Sequence, residues 1–218
     1  MAKQYTLALP LSPDAIFANY VGEAAARLQE LTDWNLVYGS KGSGRSHLLQ
    51  ALCHDTQDDS RRLYLGELHR LKPEVLQDLE QFSLICLDDV EQVLGQPAWE
   101  EALFHLLNGC KDLKVKIVIA VDQPVNLLPV KLADLKSRLN AALAVETDRL
   151  DDAQRIEVMQ LRARHWGFDL PHEVGEFILK RSPRSMVALI DNLKRLELET
   201  LREQRKVTIP FAKQTLQL

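Results

Sequence analysis

Gly39-Ser40-Lys41-Gly42-Ser43-Gly44-Arg45-Ser46 is the stretch on which the fold of this chain turns. It follows the apolar run Asn35-Leu36-Val37-Tyr38 and precedes the helix-like run His47-Leu48-Leu49-Gln50-Ala51-Leu52. The segment fits G-x-x-x-x-G-K-[ST] except at one place, where the lysine is Arg45. That pattern builds a loop between a strand and a helix whose backbone N–H groups cradle phosphates. Gly39, Gly42 and Gly44 let the backbone approach a phosphate closely, and the helix N-terminus adds a favourable dipole. Ser46 supplies the hydroxyl expected to hold Mg²⁺. Arg45 keeps the charge of the lysine but replaces a compact ammonium with a planar fork. The expectation is therefore a nucleotide site, ADP or ATP, whose fit to a γ-phosphate is altered. The competing reading is a glycine-rich turn without a ligand. The strand–loop–helix context favours the phosphate loop.

Outward from this loop, short apolar runs at 35–38, 62–65, 83–87, 115–121 and 142–146 read as strands. Helical stretches lie between them near 45–54, 73–81, 97–110 and 131–139. Strands alternating with helices predict an α/β fold with a parallel sheet covered on both faces. After Leu150 the strand pattern stops. Asp151 or Asp152 caps a helix through about Trp166, and a second follows Pro171 to about Arg181. A third runs from near Pro183 to about Arg205, with Met186, Leu189, Ile190, Leu193, Leu196 and Leu201 at helical spacing. Pro210 opens a short last helix. The chain thus divides into a tail (1–13), broken by Pro10 and Pro13, an α/β base (14–149) and an all-helical C-terminal domain (150–218).

The second chemical signal is Leu84-Ile85-Cys86-Leu87-Asp88-Asp89. The apolar run reads as a buried strand whose carboxylates fall at its C-terminal end, where open α/β sheets bind ligands. Asp88 is expected to hold Mg²⁺ through water, and Asp89 to orient or deprotonate an attacking water. A helix cap is the alternative for either aspartate. The strand Val115–Val121 ends in Asp122, a candidate sensor of the γ-phosphate or the water, or a turn residue before Pro124. In Asp134-Leu-Lys-Ser-Arg138-Leu139, the arginine at a helix end is a candidate finger acting on a neighbouring subunit. Arg184, opening a helix of the second domain, is a candidate phosphate contact. His47 reads as a packed or capping histidine, and Trp34, Trp99 and Trp166 as core.

Composition excludes several classes. At 218 residues, 46% hydrophobic and 27% charged, the chain is ordinary for a globular protein. It has no apolar run long enough to span a membrane and no leader-like N-terminus, so no membrane partner and a cytoplasmic location are expected. Cys53, Cys86 and Cys110 lack C-x-x-C spacing and read as reduced core residues. The net charge of −4 argues against a global basic field for DNA. Residues 149–218 carry 13 Lys and Arg against 10 Asp and Glu, whereas 1–148 carry 14 against 21, a mild asymmetry.

Phosphate loop, Asp-Asp strand, polar strand end, Ser-Arg helix and helical lid, in that order, resemble an AAA+ module. Within that class the chain resembles the DnaA-type replication initiators, and in particular their shorter regulatory relatives. Gly42-Ser-Gly-Arg45-Ser-His-Leu-Leu, Leu87-Asp88-Asp89, Leu135-Lys-Ser-Arg138-Leu and the segment Gln204–Leu218 carry the likeness, which covers essentially the whole chain. Phe17, Asn19 and Tyr20 look like the initiator segment that flanks the adenine. The resemblance implies an ADP-bound regulator that docks on the DNA-loaded sliding clamp and stimulates ATP hydrolysis by DnaA, preventing re-initiation. Little intrinsic ATPase activity, and indirect or weak DNA contact, go with it. So does the absence of the initiators' terminal DNA-binding domain, while a homodimer or oligomer stays open. Arg138 would enter the DnaA site in trans, and Arg184 matches the lid arginine at the nucleotide. Clamp binding in that family uses a short N-terminal peptide. Its match here is Thr6-Leu7-Ala8-Leu9-Pro10-Leu11, with Leu7, Leu9, Pro10 and Leu11 as contacts and Thr6 where glutamine is usual. Two other readings remain: a self-sufficient AAA+ ATPase that loads a helicase or remodels DNA, and a clamp-binding adaptor with a dead nucleotide site.

Overall fold

The computed structural model describes residues 11–54 and 61–218; the clamp-peptide candidates Leu7, Leu9 and Pro10 lie outside them. Contacts divide the chain into two units. One comprises the chain to Phe17 together with Glu23–Asp148, and the other Ala18–Gly22 with Arg149–Leu218.

The first unit is built on five strands: β1 (Trp34–Tyr38), β2 (Arg62–Leu65), β3 (Leu84–Leu87), β4 (Lys116–Val121) and β5 (Leu143–Glu146). All pair in parallel, in the order β2-β3-β4-β1-β5. β3 is buried throughout and β4 almost so, as continuous Val, Ile and Leu runs require when helices cover both faces. β5 lies at the edge, buries only Val145 and leaves Leu143 exposed. The chain leaves β1 for the far edge at β2 and returns through β3 and β4. The carboxyl end of β1 is thus the point where strand order reverses, where such sheets bind ligands.

Among the described residues four α-helices belong to this unit: α1 (Ala24–Gln29), α2 (Arg45–His54), α3 (Pro97–Leu113) and α4 (Ala133–Asn140). α3 starts on Pro97 and ends where Lys114 turns left-handed (φ 56°), its N–H returning to the carbonyl of Cys110. The expected helix over 73–81 is instead two 3₁₀ turns, Pro73–Leu76 and Leu79–Gln81. Asp78 between them has φ 57°, which a continuous helix cannot contain. Leu36, Ile85, Ile117, Leu103 and Leu106 lie at the centre of the core between sheet and helices.

The second unit holds α5 (Asp152–His165), α6 (His172–Arg181), α7 (Met186–Glu203) and α8 (Ile209–Leu216). Asp151 caps α5 in a reciprocal box with Gln154, and Ser185 and Thr208 cap α7 and α8. Leu189, Leu193 and Leu196 of α7 meet Met159, Ile178 and Phe211 in a separate core. Leu201 does not join that stripe: five residues beyond Leu196, it points to solvent at 67% exposure. All three cysteines are free and buried. Among the described residues no helix is long and apolar enough to cross a membrane.

Candidate nucleotide site

The loop between β1 and α2 is shaped by its glycines. Gly42 and Gly44 have φ of 80° and 95°, which a residue with a Cβ adopts only under strain. Gly39 is required for space, since a Cβ there would overlap the hydroxyl of Thr147. That hydroxyl, just beyond β5, donates to Ser43 Oγ at 2.7 Å and ties the loop to the edge strand. Ser46 is half-buried in the first turn of α2.

Asp88 leaves the carboxyl end of β3 at 1% exposure. Its Oδ1 accepts the Asp89 N–H at 2.9 Å and its Oδ2 accepts the Tyr64 hydroxyl at 2.8 Å. Burial, reinforced by the Asp88 carboxylate, pushes the Tyr64 phenol far above its ordinary range, so it stays a donor. Tyr64 was not among the sequence candidates. Its place opposite Cys86 in the β2–β3 register was the missing information.

Arg45, the residue in the lysine position, is only 6% exposed and points at acids. Nη2 lies 3.0 Å from Asp89 Oδ1, and Nη1 and Nη2 both lie 3.3 Å from Glu91 Oε1. Asp89 reaches this position because its backbone is left-handed (φ 49°), opening the 3₁₀ turn that carries Glu91. Burial, and then Asp88, push the Asp89 carboxyl up, while Arg45 and Lys41 pull it down. Burial likewise raises Glu91 against the pull of Arg45. Asp122 lies exposed just past the carboxyl end of β4.

A strap precedes the sheet. Ser12 N–H donates to Gln50 Oε1 (2.8 Å), and the carbonyls of Ser12 and Ile16 accept from His54 and His47 Nε2 (2.8 Å each). His47, Gln50 and His54 share one face of α2, spaced by three and four residues. His47 is thus a tether rather than a cap. The strap ends at half-buried Phe17, while Tyr20 belongs to the second unit. Asp148 accepts the N–H groups of Glu23 and Ala24 (3.1 and 3.0 Å) and caps α1. In the second unit Arg184 is exposed and pairs with Asp152 at 3.4 Å.

Arg138 lies elsewhere. It is half-buried on α4, its guanidinium 5.2 Å from the ring centre of Trp34, which Lys111 also approaches at 5.7 Å. Trp34 packs against the core from a half-buried position. It opens β1, whereas the phosphate loop leaves the other end, four residue steps or about 13 Å away. Arg138 and the loop therefore lie at opposite ends of β1.

Two family models cover these units. Residues 15–146 match the bacterial DnaA ATPase domain, and 152–216 match the lid domain of Hda. The chain belongs to the family of bacterial DnaA ATPase domains. It is an AAA+ protein of the replication-initiation kind, with a lid of the Hda type. Solved structures share the fold. Domain III of the Thermotoga maritima replication initiation protein DnaA matches at TM-score 0.78 and 22% identity, over 96% of this chain and 98% of that one. AMPPCP-bound DnaA from Aquifex aeolicus matches at 0.69 and 23%, over 88% and 68%. The Thermotoga maritima RuvB Holliday junction branch migration motor matches at 0.64 and 18%, over 89% and 64%.

Proposed function

We propose that this protein is an ADP-holding regulator of replication initiation, which docks on the DNA-loaded sliding clamp and stimulates hydrolysis of ATP bound to DnaA. The observation that carries this reading is the separation of its two phosphate-directed devices. The phosphate loop sits at the carboxyl end of β1, and Arg138 lies against Trp34 at its amino end. An arginine so placed serves a neighbour's nucleotide rather than its own. The Hda-type lid supports the regulator over the initiator.

In this reading the loop N–H groups around Gly39, Gly42 and Gly44 hold the phosphates and Phe17 flanks the base, while Tyr20 and Arg184 keep the roles that the family resemblance implies for them. Mg²⁺, supplied with the nucleotide, polarises the phosphate oxygens. Ser46 would ligate it and Asp88 would hold its waters. The donor set fits: Asp88 is fixed by two hydrogen bonds, each leaving lone pairs for water. Mg²⁺ usually keeps several waters and takes one or two protein oxygens beside phosphate. Asp89 is engaged by Arg45 and poorly placed to activate a water, which accords with weak intrinsic turnover. Asp122 would face the nucleotide's outer phosphate, and contact with DNA would be indirect, through the clamp. Intact Ser46 and Asp88 are what a self-sufficient ATPase would also keep, and the paired Asp89 counts against it.

Mass analysis of nucleotide released from the purified protein tests the reading. Bound ADP is expected, and an empty site would favour the bare clamp adaptor. A second expectation concerns the tail. Leu7, Leu9 and Leu11 supply apolar anchors, and Pro10 restricts the free peptide and lowers its ordering cost. Deleting residues 1–11 should abolish retention on immobilised clamp and leave nucleotide binding unchanged. Undiminished retention would remove the tail from the interface. Thr6→Gln should tighten it.

A further inference from the structure

Glu91 belongs to no phosphate-loop motif, yet it is the acid on which both terminal nitrogens of Arg45 converge. Its side chain is 15% exposed, and its other oxygen, Oε2, is buried with no hydrogen-bond partner among the described residues. Among side chains, the carboxylate is held by Arg45, with its own backbone N–H as a second donor. Arg45 in turn is divided between Glu91 and Asp89, with Asp88 behind them.

Consider what a third phosphate would require. A γ-phosphate needs a cation at the motif's lysine position, and here that cation, Arg45, already pairs with two carboxylates. Turning Arg45 toward the phosphate would leave Glu91 and Asp89 without their partner, beside buried Asp88 and a new anion. Charge-assisted hydrogen bonds lost in a partly desolvated site are among the more expensive to break. The phosphates of a diphosphate are cradled by the loop N–H groups and, with no γ-phosphate present, demand less of that cation. A lysine at this position would carry a single point charge, unable to bridge both acids as the planar fork does.

We propose that Glu91 is a specificity-determining residue: by holding Arg45 with Asp89, it makes the site select nucleoside diphosphates over triphosphates. This rests on the nucleotide reading above.

The test is calorimetric titration of the full chain with ADP and with the non-hydrolysable triphosphate AMPPCP, both with excess Mg²⁺. Wild-type protein is expected to bind ADP more tightly. Glu91→Gln keeps the shape and removes the charge, and should narrow the triphosphate-to-diphosphate ratio of Kd by about tenfold, the scale of one charge-assisted hydrogen bond. Arg45→Lys, which loses the bridge by another route, should narrow it in the same direction and stands in if Glu91→Gln fails to fold. An unchanged ratio in a variant that still binds both nucleotides would overturn the role of Glu91 and leave the nucleotide site standing. Wild-type protein that binds neither ligand would overturn the nucleotide reading and this inference together.

Discussion

If Arg138 is the finger proposed above, Arg138→Ala is expected to remove the stimulation of DnaA-bound ATP hydrolysis, a loss on the order of 10³ or more in rate. Fold, ADP binding and clamp binding should persist. The guanidinium rests on the Trp34 ring beside Lys111 and pairs with no carboxylate among the described residues. Its removal forfeits a cation–π contact worth ~0.5–1 kcal/mol, which in a chain of this size lowers Tm by only a few degrees. Arg138→Lys should rescue little, because charge in a phosphoryl-transfer site is met best by the fork. A solvated helix arginine would behave differently: its loss would change neither stability nor hydrolysis measurably. The decisive control is nucleotide affinity of the variant itself. Arg138 stands at the end of β1 remote from the loop, so the variant should bind ADP as wild type does.

Glu100→Ala is expected to give the largest loss of stability. Glu100 lies on α3 at 1% exposure and accepts four backbone hydrogen bonds. Gly95 N–H donates to Oε1 at 2.7 Å, Lys131 N–H to both oxygens at 3.1 Å, and Leu132 N–H to Oε2 at 2.7 Å. One carboxylate thereby fixes the loop before α3 and the segment that leads into α4. Leaving three donors without an acceptor should cost about 3 kcal/mol, since each such loss is worth ~1–3 kcal/mol. Thermal denaturation should then show Tm lower by roughly 6–12 °C. The loss should depend on pH. Burial alone would raise the Glu100 pKa, but the N–H donors of Lys131, Gly95 and Leu132 outweigh it and hold it below its ordinary 4.5. A carboxylate with a depressed folded-state pKa stabilises fully above its unfolded pKa and loses that contribution as pH falls through the folded value. The gap between wild type and Glu100→Gln should therefore be widest above pH 4.5 and close in more acidic solution. A gap independent of pH would mean that shape, not charge, is what Glu100 contributes.

The sheet was legible because its strands are apolar runs bounded by turn residues, and the phosphate loop because its glycines and Ser46 occur in fixed order after one of them. The helical unit was legible from the Asp151 cap and from the Leu189–Leu196 stripe, while the caps Ser185 and Thr208 were not read. The failures share a cause. Residues 73–81 look helical by composition, and only the left-handed backbone at Asp78 divides them. The partners of Arg45 could not be read, because Glu91 arrives through an unusual φ at Asp89, 46 positions away along the chain. Tyr64 meets Asp88 across a strand pairing, and Glu100 looks like any acid on an amphipathic helix until Lys131 and Leu132 close over it. Local pattern specifies elements. Long-range hydrogen bonds to a buried charge depend on the register between elements, which a single sequence does not display.

Hydrolysis of ATP pre-loaded on DnaA, followed as ADP formed with the clamp assembled on DNA, tests the central claim most directly. Three samples suffice: DnaA alone, this protein alone with ATP, and the two together. The expected result is slow turnover in each single sample and fast turnover in the mixture, lost when the clamp is omitted. Turnover by this protein alone that matches the mixture, with the rate of DnaA unaltered, would contradict the regulator and identify a self-sufficient ATPase.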